Sequence, residues 1–301
     1  MLTETQKGLL MKIASLGDNL GGIVLDLPID FTHLSLPDRD AIAEAYDEYG
    51  LLLFRGRELS VDEQIAICNI TGKVVDQAGN GKNWFNITNL GGGYEGRLCF
   101  HADYSNTENL LTGASLYASV LPNGSTATIF AHTGRAFSAL PEELRTRMHG
   151  RRAVHAAMRD GGPTTPETPV RHQPQLAIDP RAEHPLEFVH PKTGESLLFV
   201  SDLQTEYIRG MDPEESVQLL DELSAWIQQP QFVYRHQWQL YDLVLWDQIV
   251  MQHSREAESV EGERTLRRVS FTYPKWHELC QEFFTSLGGR AGRSGQQKVS
   301  M

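Results

Sequence analysis

From about residue 98 onward the chain runs as short apolar segments, four to nine residues long, separated by turn residues. Segments of that length are strands rather than helices. The stretches 113–120, 127–131, 196–200, 231–239 and 243–246 all have strand composition. In 231–239, Phe232, Tyr234, His236 and Trp238 alternate with other residues, the period of two that marks a strand buried on one face. Short strands must pair and then stack, because each buries only one row of side chains. Helices are expected between them at 137–148 and at 212–229, where Asp212 can cap and Pro213 takes the first helical position. Many modest strands with two inserted helices predict a mostly β fold with flanking helices, a double-sheet jelly roll or cupin-like barrel.

Ahead of this region, 38–48 reads as a helix and 51–54 as a short strand. Ser60 and Glu63 have the spacing of a capping box at the start of a further helix. Residues 76–97 are polar and glycine-rich and predict a mobile loop. Residues 288–301 carry Arg290, Arg293 and Lys298 with no acid and predict a disordered basic tail. No internal repeat is visible, so residues 1–287 are expected to form one domain.

The chain has 301 residues, 40% of them hydrophobic, enough to bury a large core. With 27 Lys plus Arg against 39 Asp plus Glu, the net charge of −12 argues against nucleic acid or an anionic membrane as partner. A small anion remains a possible ligand if its pocket supplies arginines. Cys68, Cys99 and Cys280 are widely spaced and odd in number, which suits a reducing compartment. The first 20 residues lack the pattern of a secretion signal, and nowhere do 18 apolar residues run together, so a cytoplasmic protein is expected. Assembly into a homo-oligomer stays open.

Among eleven histidines only one lies in a His-x-Asp unit, His101-Ala102-Asp103, directly after the apolar run 98–100. In an extended chain residues two apart share a face, so both side chains could aim at one ion. A surface histidine beside an acid gives the same pattern, so the unit alone decides nothing. His253 lies 253 − 101 = 152 residues downstream and could complete the set only through the fold. Two imidazoles and one carboxylate on one face of an octahedral metal leave three positions open, as in non-haem Fe(II) oxygenases. Arg264 and Arg268 then share a face of a strand from which Arg267 points away. A buried guanidinium is a natural bidentate partner for a carboxylate.

Taken together, these residues resemble the taurine dioxygenase family (TauD/TfdA), which includes the 2,4-dichlorophenoxyacetate dioxygenases. The similarity covers about residues 40–272, in segments such as LLLFRGRELSVDEQIAI, FHADYS, HPKTGESLLFV and VYRHQWQLYDLVLWDQIVMQHSREAESVEGERTLRRVSFTY. The resemblance implies a double-stranded β-helix that uses Fe(II), 2-oxoglutarate and O2. It implies that His101, Asp103 and His253 bind the metal, and that Thr128 and Arg264 hold the far carboxylate of 2-oxoglutarate. The co-substrate would be decarboxylated to succinate and CO2 as a C–H bond of a small molecule is oxidised, most simply by hydroxylation. Asp103 itself argues against halogenation, which needs that position vacated. Arg268 matches an arginine that faces an anionic substrate in some members. Tyr104 and Asn106, just after the metal motif, are expected near the pocket mouth. Arg97 could neutralise an anion, and the glycine-rich loop 90–96 with Tyr94 could close over the site.

Three departures suggest a divergent branch and a mild lean towards natural-product biosynthesis. The family's Gly-Gly-Asp-Thr is here Ser125-Thr126-Ala127-Thr128, its Trp-Asp-Asn is Trp246-Asp247-Gln248, and its Trp-x2-Gly-Asp has Tyr241 for glycine. All three are expected to leave the metal ligands untouched. The competing reading is a cupin-type metal-dependent hydrolase or isomerase on the same fold, which has no use for Thr128 or Arg264.

Overall fold

The computed structural model describes residues 11–18, 20–89, 96–108, 111–122, 127–156, 166–173, 181–256 and 262–286. The chain opens on a hairpin, β1 (Lys12–Leu16) and β2 (Gly21–Leu25), followed by α1 (Leu36–Tyr49), β3 (Leu51–Phe54) and α2 (Val61–Thr71). Next come β4 (Lys73–Val75), β5 (Phe85–Thr88), β6 (Leu98–His101), β7 (Gly113–Val120) and β8 (Ala127–His132). Two short helices follow, α3 (Thr133–Ser138) and α4 (Glu142–Met148), then β9 (Arg152–Ala156), β10 (Arg181–Pro185), β11 (Glu187–Val189), β12 (Ser196–Leu198) and β13 (Thr205–Ile208). The last part holds α5 (Pro213–Ile227), β14 (Val233–Gln237), β15 (Leu243–Asp247), β16 (Met251–Arg255), β17 (Thr265–Thr272) and α6 (His277–Ser286).

Two sheets carry the architecture. The larger runs β1-β2-β3-β15-β7-β17-β4, with β5 also paired to β17, and the smaller runs β14-β8-β16-β6. Their facing sides share one apolar layer: Leu53, Leu116, Val244, Trp246 and Leu266 from the large sheet meet Phe130 and Met251 from the small one. The outer face of the large sheet is covered by α1 and α2, whose Ile42, Tyr46 and Ile67 pack on Leu52, Leu245 and Phe271. The outer face of the small sheet is covered by α3 and α5 through Phe137, Leu219 and Leu223. This is the expected jelly roll, mostly β with flanking helices, and its two sheets stay separate rather than closing into a barrel.

Helix ends follow local chemistry. Ser60 and Glu63 form the reciprocal capping box of α2, and Asp212 caps α5 with Pro213 at its first position. Three expectations need correction. The stretch 137–148 is not one helix: α3 ends at Ser138 and α4 begins at Glu142, because Pro141 cannot donate a backbone hydrogen bond into a continuing helix. The strand expected over 231–239 is shorter, with a 3₁₀ turn at Pro230–Phe232 ahead of β14. Residues 76–97 are not all loop, since β5 pairs with β17 from Thr88↔Thr265 to Phe85↔Arg268. The tail 288–301, Tyr94 and most of the loop 90–96 lie outside the described residues. No disulfide joins Cys68, Cys99 and Cys280, all of them buried. No helix among the described residues is long and apolar enough to cross a membrane.

Candidate metal centre

β6 and β16 pair antiparallel in the small sheet, and His101 sits directly across from His253. Their rings lie 4.0 Å apart between centroids. β6 ends at His101, and two residues on Asp103 opens a turn that carries its carboxylate back towards both rings. Asp103 Oδ1 is 3.5 Å from His101 Nε2, and Oδ2 is 4.0 Å from His253 Nε2. One ligand atom from each residue lies within 4.8 Å of the other two. Metal bonds of about 2.1 Å at right angles would set such atoms about 3 Å apart, so a small inward shift closes the set around an ion.

The surroundings prepare each donor. His101 Nδ1 lies 2.9 Å from the Cys99 carbonyl oxygen, which can only accept, so the ring proton sits on Nδ1 and the Nε2 lone pair faces the cluster. Burial pushes the Asp103 carboxyl up, but the Arg268 guanidinium, with His253 and His101 beside it, outweighs burial and holds it well below the usual carboxylate range. Burial, reinforced by His101, holds the His253 imidazole well below its ordinary value. Ionised carboxylate and neutral imidazole are the forms that ligate a divalent cation, so the donor set fits one.

The strand that bears the arginines behaves as its period dictates. Leu266 enters the layer between the sheets, and Arg264 and Arg268 flank it at two-residue spacing, both buried. Arg268 Nε donates to Ser270 Oγ at 3.1 Å, its Nη2 donates to Asp103 Oδ2, and the guanidinium lies over the Trp246 ring. Arg267 points the other way, onto Gln64 and over Tyr117. Asn89 clamps the backbone of Arg264, accepting from its N–H at 2.8 Å and donating its own N–H to the Arg264 carbonyl at 3.2 Å. Thr128, on β8 two residues before the inward Phe130, accepts a hydrogen bond of 3.0 Å from Trp238 Nε1.

The remaining residues scatter. Asn106 is buried and Arg97 exposed. Tyr104 has a left-handed backbone, φ +60°. Its ring packs edge-on against Phe283 and Phe284 of α6, and its hydroxyl accepts from Gln77 Nε2 at 3.2 Å. Burial pushes its phenol up to about 12. The departures do not all avoid the ligands, contrary to expectation, since Gln248 Nε2 donates to Asp103 Oδ2 at 2.5 Å. The signal for it was present as the exchange of asparagine for glutamine. Nothing in the sequence marked Trp238, Asn89 or Gln77 as neighbours of the site.

The profile of the "Taurine catabolism dioxygenase TauD, TfdA family" matches residues 13–270. The chain belongs to the TauD/TfdA family. It is a non-haem dioxygenase that depends on Fe(II), 2-oxoglutarate and O2. Pentalenolactone F synthase of Streptomyces arenae is 30% identical over 280 residues, covering 85% of this chain and 92% of that protein. The alpha-ketoglutarate-dependent 2,4-dichlorophenoxyacetate dioxygenase of Cupriavidus pinatubonensis is 27% identical over 76% of this chain and 86% of its own length. A taurine dioxygenase structure from Burkholderia xenovorans superposes with a TM-score of 0.72 at 23% identity, covering 87% of this chain and 91% of that one. The crystal structure of AAD-2 with Mn(II) and N-oxalylglycine gives 0.71 at 24%, covering 88% and 99%. These two structures show the TauD/TfdA fold. A dioxygenase family that spans most of the chain sets aside the hydrolase and isomerase reading.

Proposed function

We propose that His101, Asp103 and His253 hold the Fe(II), that Arg264 and Thr128 hold the far carboxylate of 2-oxoglutarate, and that the protein hydroxylates a small anionic molecule. The observation that carries this is the cluster of two imidazole nitrogens and one carboxylate oxygen, the single such group among the described residues, assembled from histidines 152 residues apart. When bound, the ferrous ion supplies activation of O2 coupled to decarboxylation of 2-oxoglutarate into succinate and CO2. The chain's own residues bind, orient and shield. Arg264 is always charged and offers a planar fork to a carboxylate. Trp238 already donates to Thr128 Oγ1, so the hydroxyl hydrogen of Thr128 is left to point at another acceptor, the role a co-substrate carboxylate fills. Phe130, Trp246 and Leu266 line the same layer and keep water from the bound pair.

Arg268 is the residue we assign to the substrate's anionic group, with Tyr104, Asn106 and Arg97 as the further substrate-side candidates. Several relatives are named for acids, among them 2,4-dichlorophenoxyacetate and (S)-phenoxypropionate, which supports a carboxylate-bearing substrate. The similarity to pentalenolactone F synthase supports a place in natural-product biosynthesis. We read residues 1–287 as one domain, acting in the cytoplasm on small molecules rather than on nucleic acid.

The test is an anaerobic titration of metal-free protein with Fe(II), then 2-oxoglutarate, followed by the visible charge-transfer colour of the chelate. Colour in the wild type, weakened in Arg264→Ala at the same concentrations, supports the assignment. Fe(II) binding without colour would place the co-substrate elsewhere.

A further inference from the structure

Gln248 stands where the family pattern has asparagine, and it grips Asp103 at two points. Its Nε2 donates to Asp103 Oδ2 at 2.5 Å, and its Oε1 accepts from the Asp103 backbone N–H at 3.4 Å. Trp246 fixes which end of the amide faces which partner. The indole Nε1 lies 3.2 Å from Gln248 Oε1, and an indole N–H only donates. Oxygen must therefore face Trp246, which leaves the NH2 for the carboxylate.

The base of the clamp is itself held. Gln248 is 1% exposed, and its backbone N–H donates to the Thr112 carbonyl at 3.0 Å. The preceding Asp247 accepts from the Ile249 and Val250 N–H groups at 2.7 and 3.1 Å, while His190 and Tyr273 bracket its other oxygen at 3.2 and 3.4 Å. The Asp103 carboxylate is divided as a result. Gln248 and Arg268 both occupy Oδ2, which lies 4.0 Å from His253 Nε2, whereas Oδ1, with no such partner among the described residues, lies 3.5 Å from His101 Nε2.

We propose that Gln248 is a positioning residue that makes Asp103 a one-oxygen ligand, presenting Oδ1 to the metal and withholding Oδ2. This rests on the reading that His101, Asp103 and His253 bind the metal. The consequence is one of coordination number. Two imidazoles and one oxygen leave three of six octahedral positions, two for the co-substrate chelate and one for O2. A carboxylate using both oxygens would fill the last.

The experiment titrates metal-free full-length protein anaerobically with Co(II), reading affinity and the visible ligand-field bands. It compares wild type, Gln248→Met, Gln248→Asn and His101→Ala, with thermal unfolding of each metal-free protein as the check on folding. Gln248→Met keeps the length and volume of the side chain but removes both hydrogen bonds with Asp103 and the one from Trp246. It should weaken Co(II) binding about 10- to 100-fold and shift the bands. Gln248→Asn keeps the amide on a stem one carbon shorter and should lose about three- to tenfold. Wild-type affinity and bands in a folded Gln248→Met protein overturn the proposal. If that variant does not fold, the same result in Gln248→Asn overturns it. If His101→Ala binds Co(II) as tightly as wild type, the metal-site reading has failed. If only His101→Ala loses the ion, the clamp alone has failed.

Discussion

Arg264 and Arg268 lie four residues apart on one strand face, yet the structure gives them different company. The Arg264 backbone is pinned by Asn89, while the Arg268 guanidinium reaches the Asp103 carboxylate. Their substitutions should separate kinetically. Arg264→Ala should raise the 2-oxoglutarate requirement at least about tenfold, since loss of a charge-assisted pair costs on the order of 1.5–3 kcal/mol. Steady-state turnover against 2-oxoglutarate concentration measures it, and an unchanged requirement refutes the role. Arg268→Ala should leave that requirement within about threefold and raise the KM for the organic substrate instead, by about tenfold or more. At this scale the gathering of His101, Asp103 and His253 was legible, because His-x-Asp followed by a distant histidine has few chemical uses once arginines follow on one strand. Gln248 was not, because glutamine for asparagine reads as a neutral exchange until Trp246 shows which way the amide faces.

Elements were legible where pattern and length agreed, as in β7, β8, β15 and α5. β5 was hidden because its sequence, Phe-Asn-Ile-Thr, sits among glycines and asparagines and becomes a strand only by pairing with β17. Where β7 pairs with β17, Gly113 lies opposite Phe271 in register. A Cβ there would lie 2.0 Å from the buried Phe271 ring, so Gly113→Ala should destabilise by about 1–3 kcal/mol in chemical denaturation. A variant as stable as wild type would mean the two strands can part. α3 makes a pH prediction. His132 is its N-cap, Nδ1 accepting from the Arg135 N–H at 3.3 Å, and only a neutral ring can accept there. Burial, with Arg135 adding to it, lowers the His132 imidazole to about 3 from an ordinary value of 6.5. The unfolded chain therefore takes the proton first. The contribution is complete above about pH 6.5 and is lost as pH falls towards 3. His132→Asn caps without titrating, so its thermal midpoint should fall less steeply than wild type over that window. Parallel curves would show that another group controls the slope.

For the whole molecule, the layering of helices, large sheet and small sheet followed from many short strands with few helices between them. The N-terminal hairpin β1–β2 and the closing helix α6 did not, since neither has a pattern that names its partner. The metal ties together neighbouring strands of the small sheet. Its proposed ligands lie on β6, on β16 and in the turn after β6, so an ion binds only the folded arrangement. Co(II) at 100 times its dissociation constant should add about 2.7 kcal/mol to stability. The thermal midpoint should rise with Co(II) concentration in wild type and stay flat in His101→Ala. A rise of equal size in both would place the ion elsewhere.

The pairing of His101 with His253 also sets a clock for biosynthesis. At about 5–20 residues per second, a ribosome takes roughly 8–30 s to add the 152 residues between them. Through that interval His101 and Asp103 have emerged without their third partner. β17, which lies between β7 and β4 in the large sheet, emerges later still. On the ligand set proposed above, a growing chain would have no complete grip on iron until its C-terminal strands arrive, and loading with metal would await the nearly finished protein.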